Sequence, residues 1–300
     1  MSQKSQFPKW IVLQKKRGET PLQVLEAWKK DYIKEHPDFV NVPMSYAGRL
    51  DPMAEGKLLV LIGDECKKQD TYTKLDKEYV VELVLDVKTD TGDVLGFPTL
   101  GAIREISTQK TRRTPVPLGQ VLPRFLSTDF SLALAREVGA HSRQYPVFSS
   151  KTVNGKPLFL YALEGTLNQI QIPEHIETFY KIKLVGTRQV KSSELEKEIA
   201  QSLSSVPRSD EPSKILGADF RQDEIRERWS EMFKGIPKDR EFQIVKIQVI
   251  CASGAYMRTL VERIGTSLGT TACALSINRT KIGRYISVST DFGFWIKAYP

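Results

Sequence analysis

Along Tyr79 to Val87 every second residue is apolar or aromatic, and the alternation predicts a strand with Tyr79, Val81, Leu83 and Leu85 on one face. Shorter apolar runs at Trp10 to Leu13 and Leu58 to Ile62, and the strand-like stretch from Phe242 to Ala252, predict further buried strands. Helical spacing appears elsewhere. Thr20 and Pro21 form an N-cap and first-turn signal, and Leu22, Leu25, Trp28 and Tyr32 follow along one stripe. Leu260, Ile264 and Leu268 mark an amphipathic helix, and further helices are expected around Phe130 to Val138, over 193 to 203, and over 221 to 234. Asn154-Gly155 is a tight hairpin signal ahead of a helix carrying Leu158, Tyr161 and Ala162, and Lys88 to Asp93 reads as a turn.

Between the first helix and the alternating strand lies Gly48-Arg49-Leu50-Asp51-Pro52-Met53-Ala54-Glu55-Gly56-Lys57-Leu58. Proline excludes the residue before it from the right-handed helical region, so Asp51 is expected to be extended, with Pro52 opening a turn or short helix. Gly48 and Gly56 permit tight bends or the close approach of another backbone. One carboxylate is thereby held on a chain with few conformational options, which suits a nucleophile. The bare Leu-Asp-Pro pattern equally describes a helix N-cap followed by proline at the first helical position, and by itself favours that reading.

The chain has 300 residues, 40% of them hydrophobic, enough for a substantial core in about two domains or one large domain with insertions. No apolar run approaches the roughly 20 residues of a membrane helix, and the polar start lacks a signal-peptide core, so the expected location is cytoplasmic. Cys66, Cys251 and Cys273 are scattered, and His36, His141 and His175 show no ligand spacing, so neither disulfide nor metal is expected. A net charge of +8 favours a polyanionic partner without specifying one. The interval from Arg104 to Arg124 carries Lys110, Arg112 and Arg113 against the single acid Glu105, and reads either as a loop along an RNA backbone or as an ordinary exposed loop. Arg258 falls in the first turn of its helix, where the helix dipole offers a cation nothing, which suggests an anionic partner nearby.

The pattern Gly-x-Leu-Asp-Pro-x-Ala-x-Gly-x-Leu over 48 to 58, with its apolar run ending at Gly63, resembles the catalytic motif of the tRNA pseudouridine synthase B family. Lys77-x-Tyr79 with Thr89-Asp90-Thr91, the block from Arg143 to Gly165, and Ser253-Gly254-x-Tyr256-x-Arg258-Thr259-Leu260 are similar to further motifs of that family, in the same order. The resemblance spans most of residues 10 to 285 and implies an α+β fold with a mixed, largely antiparallel sheet flanked by helices. It makes Asp51 the nucleophile, Arg258 the cation that pairs with it and keeps it ionised if buried, and Tyr79 the ring that stacks on the extruded base and stands near the late proton removal. Without the resemblance Tyr79 reads as a packed strand tyrosine. Substrate contacts carried over are Tyr46, Gly48, Leu50, Lys77, Tyr256 and Ile277. Ile277 stands where the family has Leu, and Tyr46 where many members have His, which predicts altered positioning of RNA. Tyr145 replaces the first residue of a usual Pro-Pro pair, Thr152 a usual Lys, and Leu163 a common Arg.

The implied reaction is isomerisation of uridine to pseudouridine in tRNA, at position 55 of the T-arm, with no cofactor, no guide RNA and a monomeric protein. Residues 1 to 285 are expected to form the catalytic domain, interrupted by a charged insertion at about 191 to 238 outside the core, with 286 to 300 a short tail and no full C-terminal accessory RNA-binding domain. Two alternatives remain open: an RNA-binding or RNA-folding protein without turnover, and a synthase acting on a different RNA uridine.

Overall fold

The structure, a computed structural model, describes residues 7–101, 127–206, 221–289 and 292–300. The basic interval from Arg104 to Arg124 lies outside the described residues. The strands are β1 (Trp10–Lys15), β2 (Met44–Ala47), β3 (Ala54–Ile62), β4 (Asp76–Leu85), β5 (Val87–Thr89), β6 (Pro98–Leu100), β7 (Gly139–Gln144), β8 (Thr152–Val153), β9 (Lys156–Pro157), β10 (Glu174–Lys191), β11 (Glu241–Cys251), β12 (Ala272–Ser287) and β13 (Gly293–Tyr299). The helices are α1 (Pro21–Glu35), α2 (Gln69–Thr73), α3 (Ser127–Ala135), α4 (Leu158–Leu163), α5 (Ser192–Ser204), α6 (Gln222–Lys234) and α7 (Met257–Ser267).

Among the described residues the main sheet has nine strands, in the order β1-β3-β12-β4-β11-β10-β7, with β2 added on β3 and β13 on β12. Its pairings are antiparallel except β3 with β12, so the α+β expectation of a mixed, largely antiparallel sheet holds. Alternation in β4 places Val81, Leu83 and Leu85 on the face covered by Leu260, Val261 and Ile264 of α7 and by Phe130 of α3. Val84 on the opposite face joins Phe242, Ile244 and Leu275.

That second face overturns one expectation. The charged segment read as lying outside the core supplies Leu195, Ile199 and Leu203 from α5 and Ile225, Trp229 and Phe233 from α6, all buried against the sheet. Trp229 is fixed there by its indole N–H, which donates to Val94 O at 3.0 Å. The charges occupy the outer faces of two amphipathic helices, and composition alone averages over such faces. The tail differs as well: Gly293 to Tyr299 pairs with β12, and Tyr299 is buried with its ring edge-on to Trp10.

Local signals hold where they were strong. Thr20 and Gln23 complete a capping box at the start of α1, although Leu22, expected on the buried stripe, is exposed. Asn154 and Gly155 both take positive φ between β8 and β9, as a two-residue hairpin turn requires.

Candidate active site

Asp51 does not cap a helix. It precedes a turn closed by a hydrogen bond from Ala54 N to Asp51 O at 3.0 Å, and the chain runs directly into β3. Gly48 has φ +85°, and Gly56 has φ +108° where the backbone of Arg279 passes so close that a Cβ would lie 2.3 Å from its carbonyl oxygen. Both glycines therefore meet the conformational demand read from sequence.

Strand register assembles the neighbouring wall. In β12, Ile277 lies opposite Ala54 of β3 and Val81 of β4, and Arg279 lies opposite Gly56 and Tyr79. Tyr79, Ile277 and Arg279, with Lys77, Tyr256 and Gly48, line a cavity of about 280 Å³. A second cavity of about 410 Å³ adjoins it, lined by Tyr46, Leu95, Phe148 and Phe159 together with Val206 and Gln222. Leu50, Asp51 and Arg258 border both. Each residue predicted for the site thus borders one cavity or both.

Across the shared wall, Arg258 Nε donates to Asp51 Oδ2 at 2.9 Å. Its Nη1 donates to Thr91 O at 2.6 Å and its Nη2 to Phe148 O at 2.9 Å, leaving the guanidinium little freedom to turn. Burial alone would lower the Arg258 pKa, but Asp51 and Asp93 together raise it. Asp51 itself is about half open, its side chain 49% exposed, so Arg258 acts on it more by orientation than by rescue from burial. Asp93 sits behind the pair, its Oδ2 3.7 Å from Arg258 Nε, and accepts from Thr91 Oγ1 at 3.0 Å and Leu95 N at 2.9 Å. Burial pushes the Asp93 carboxyl upward, and Arg258 opposes the shift.

Tyr79 is pushed upward by burial, with Arg279 beside it opposing the shift, so its phenol keeps its proton at neutral pH. Tyr256 is pushed up to about 12, chiefly by burial. Its ring lies edge-on to His175 and Tyr145, whose rings stack on each other with centroids 4.0 Å apart, so the Tyr145 departure supplies a ring that packs on Tyr256. Lys77 lines the cavity, but its ammonium donates to Thr73 O at 2.6 Å and to Leu75 O, which commits it to the main chain.

Three buried charges beneath the site carry no sequence signal. Arg279 donates from Nε to Lys57 O at 2.7 Å, from Nη1 to Arg49 O at 3.3 Å and from Nη2 to Gly48 O at 3.2 Å, gripping the Asp51 loop from below. Lys15 is fully buried and donates to Pro52 O at 3.3 Å and to Ala54 O; burial brings its pKa down to about 8. Glu177 accepts from Tyr256 N at 2.9 Å and from Arg263 Nη2 at 3.0 Å, anchoring the turn into α7. A long charged side chain reads as solvated in sequence, and only the tertiary fold shows which backbone carbonyls it reaches.

Among known proteins, residues 42–203 match the family model described as TruB family pseudouridylate synthase, N-terminal domain. The chain is 25% identical over 274 residues to a tRNA pseudouridine synthase B of Hydrogenovibrio crunogenus, covering 91% of this chain and 64% of that protein. It is 29% identical over 188 residues to the tRNA pseudouridine synthase B of Caldicellulosiruptor saccharolyticus, covering 59% and 57% of the two. It therefore spans less than two thirds of the length of either relative. A solved chain from a Cbf5-Nop10-Gar1 complex superposes with a TM-score of 0.46 at 16% identity, covering 91% of this chain and 48% of that one. The matched model takes in both the Asp51 loop and the Thr89-Asp90-Thr91 turn across more than half of the sequence, and the chain belongs to the TruB family of pseudouridylate synthases.

Proposed function

We propose that this protein isomerises uridine to pseudouridine in tRNA, at position 55 of the T-arm, without a guide RNA and as a monomer. The observation that carries the reading is the 2.9 Å bond from Arg258 Nε to Asp51 Oδ2 at the border of a cavity walled by Tyr79 and Ile277. The names of the relatives supply tRNA as the substrate class, and the net charge of +8 suits a polyanion.

Uridine must leave the base stack to reach Asp51, and the wall of the smaller cavity offers it the aromatic ring of Tyr79 with the aliphatic Ile277 near it on the same sheet face. Asp51 attacks C1′ of the ribose or C6 of the base, and either adduct permits the bond from C1′ to N1 to break. The detached uracil turns, C5 bonds to C1′, the bond to Asp51 breaks and returns the free carboxylate, and the proton lost from C5 is balanced by the one N1 gains, exchanged through water. On this reading the Tyr79 hydroxyl takes the role that the Lys77-x-Tyr79 resemblance implies, near that late proton removal. No electron is gained or lost and no group is imported, so the chemistry requires no cofactor. The catalytic domain on this reading takes in β13 as well, with helices α5 and α6 packed into its core.

The test is single-nucleotide mapping of pseudouridine in an unmodified tRNA transcript, with wild type beside Asp51→Asn. Product at uridine 55 from wild type alone supports both reaction and nucleophile. Product elsewhere assigns a different RNA uridine, and tight RNA binding without product assigns an RNA-binding protein. Normal product from Asp51→Asn would remove Asp51 from the mechanism.

A further inference from the structure

Helices α5 and α6 pack on the sheet face opposite α7, and Arg221, the residue just before α6, contacts the segments whose carbonyls hold Arg258. Its guanidinium lies 4.0 Å from the centroid of the Phe97 ring and 5.1 Å from that of Phe148. Its Nη1 donates to Asp90 Oδ2 at 2.8 Å, and the other carboxylate oxygen of Asp90 accepts from Phe97 N at 2.8 Å. Arg221 takes φ 48° and ψ 28°, the left-handed region that non-glycine residues rarely enter. The backbone is bent where this side chain is delivered.

These contacts bracket Arg258. Its two terminal nitrogens are held by the carbonyl of Phe148, whose ring Arg221 covers, and by the carbonyl of Thr91, the residue after the Asp90 that Arg221 grips. One side chain therefore restrains both peptide units that aim Arg258. Because Asp51 is about half open, the direction of Arg258 Nε is a principal restraint on the carboxylate. A flat guanidinium can stack on two rings and bond a carboxylate together, which an ammonium cannot.

We propose that Arg221 is a positioning residue for Arg258, and that the helix pair is joined through it to the catalytic apparatus. The inference rests on the reading of the site given above. Single-turnover pseudouridine formation by Arg221→Ala is expected to fall about tenfold, with the apparent KM for RNA changed by less than about threefold. Arg221→Lys keeps the charge facing Asp90 without the planar cover over Phe148, and is expected to recover part of the loss. The second measurement needs no RNA: the Nε–H resonance of Arg258 in the free protein, recorded by ¹H–¹⁵N NMR, should move or broaden in Arg221→Ala and return toward its wild-type position in Arg221→Lys.

A merely structural role would lower activity with the folded fraction and leave the Arg258 resonance of the folded molecules in place, which would overturn the proposal. An unchanged rate in folded Arg221→Ala would overturn it as well, and so would a lower rate with an unmoved resonance. If wild type forms no pseudouridine, the reading of the reaction fails, and the Arg258 resonance then decides alone whether Arg221 holds that side chain.

Discussion

Arg258 and Arg279 are both less than a tenth exposed and both border the smaller cavity, but their donors go to different kinds of partner. Arg258 spends Nε on the carboxylate of Asp51 and its remaining nitrogens on two carbonyls, whereas Arg279 donates to the carbonyls of Gly48, Arg49 and Lys57. A guanidinium facing an open carboxylate fixes the direction of a reactive group. Arg279 meets no carboxylate in those bonds; besides the Tyr79 phenol beside it, its donors satisfy backbone acceptors and hold the shape of a loop. Lys15 belongs with Arg279 on this division, since it too donates to the main chain of the Asp51 loop. The Asp51 loop is thus aimed from above by one buried cation and held from below by two others.

The division can be broken experimentally, beginning with the largest effect. Asp51→Asn should lose at least about 10⁴-fold in single-turnover rate while keeping its circular dichroism and RNA affinity, because the amide is no nucleophile. Arg258→Lys keeps a charge beside Asp51 but cannot span Asp51, Thr91 and Phe148 together; its rate should fall about 10²-fold, read at saturating protein. Arg279→Met should cost about 3 kcal/mol in urea unfolding, because buried carbonyls lose their donor, with activity falling only as the folded fraction falls. Full stability combined with lost turnover in Arg279→Met would erase the distinction between the two arginines.

The smallest effect concerns pH. Burial brings the Lys15 ammonium down from its ordinary value of 10.5 to about 8. Between these values the unfolded chain holds the proton that the folded one has shed, so stability rises with pH across that window. Measured as the difference between wild type and Lys15→Met from pH 7 to pH 10, the gain in favour of wild type should be on the order of 2 kcal/mol. The difference isolates Lys15 from Cys251, whose pKa burial raises to about 12 and whose contribution runs the other way above the ordinary thiol range. A flat difference would mean that the lysine keeps its proton in the folded protein and is better solvated than its contacts imply.

What could be read in the sequence was local. Asp51-Pro52, Gly48 and Gly56 declare their backbone without reference to distant residues, and Asn154-Gly155 does the same. Alternation marked β4 because one of its faces is fully covered by helices. The eighteen-residue β10 was not legible as one strand, since exposed and half-buried positions outnumber its buried ones and the apolar alternation is confined to Tyr180, Ile182 and Leu184. Arg279, Lys15 and Glu177 went unnoticed because the acceptors or donors that justify their burial lie far away in the chain, as in the 222 residues between Arg279 and Lys57. The pairing of Arg258 with Asp51 spans 207 residues and was reached through resemblance, because no spacing rule relates them.

The position of β12 carries a consequence for the order of assembly. It is inserted between β3 and β4, parallel to one and antiparallel to the other, so two strands close in sequence remain unjoined until Ala272 to Ser287 arrives. Such distant pairing is slow to form, because a long intervening chain must close first. Until that strand is in place the Asp51 loop lacks the Arg279 donors to Gly48 O and Arg49 O, because Arg279 is itself a residue of β12.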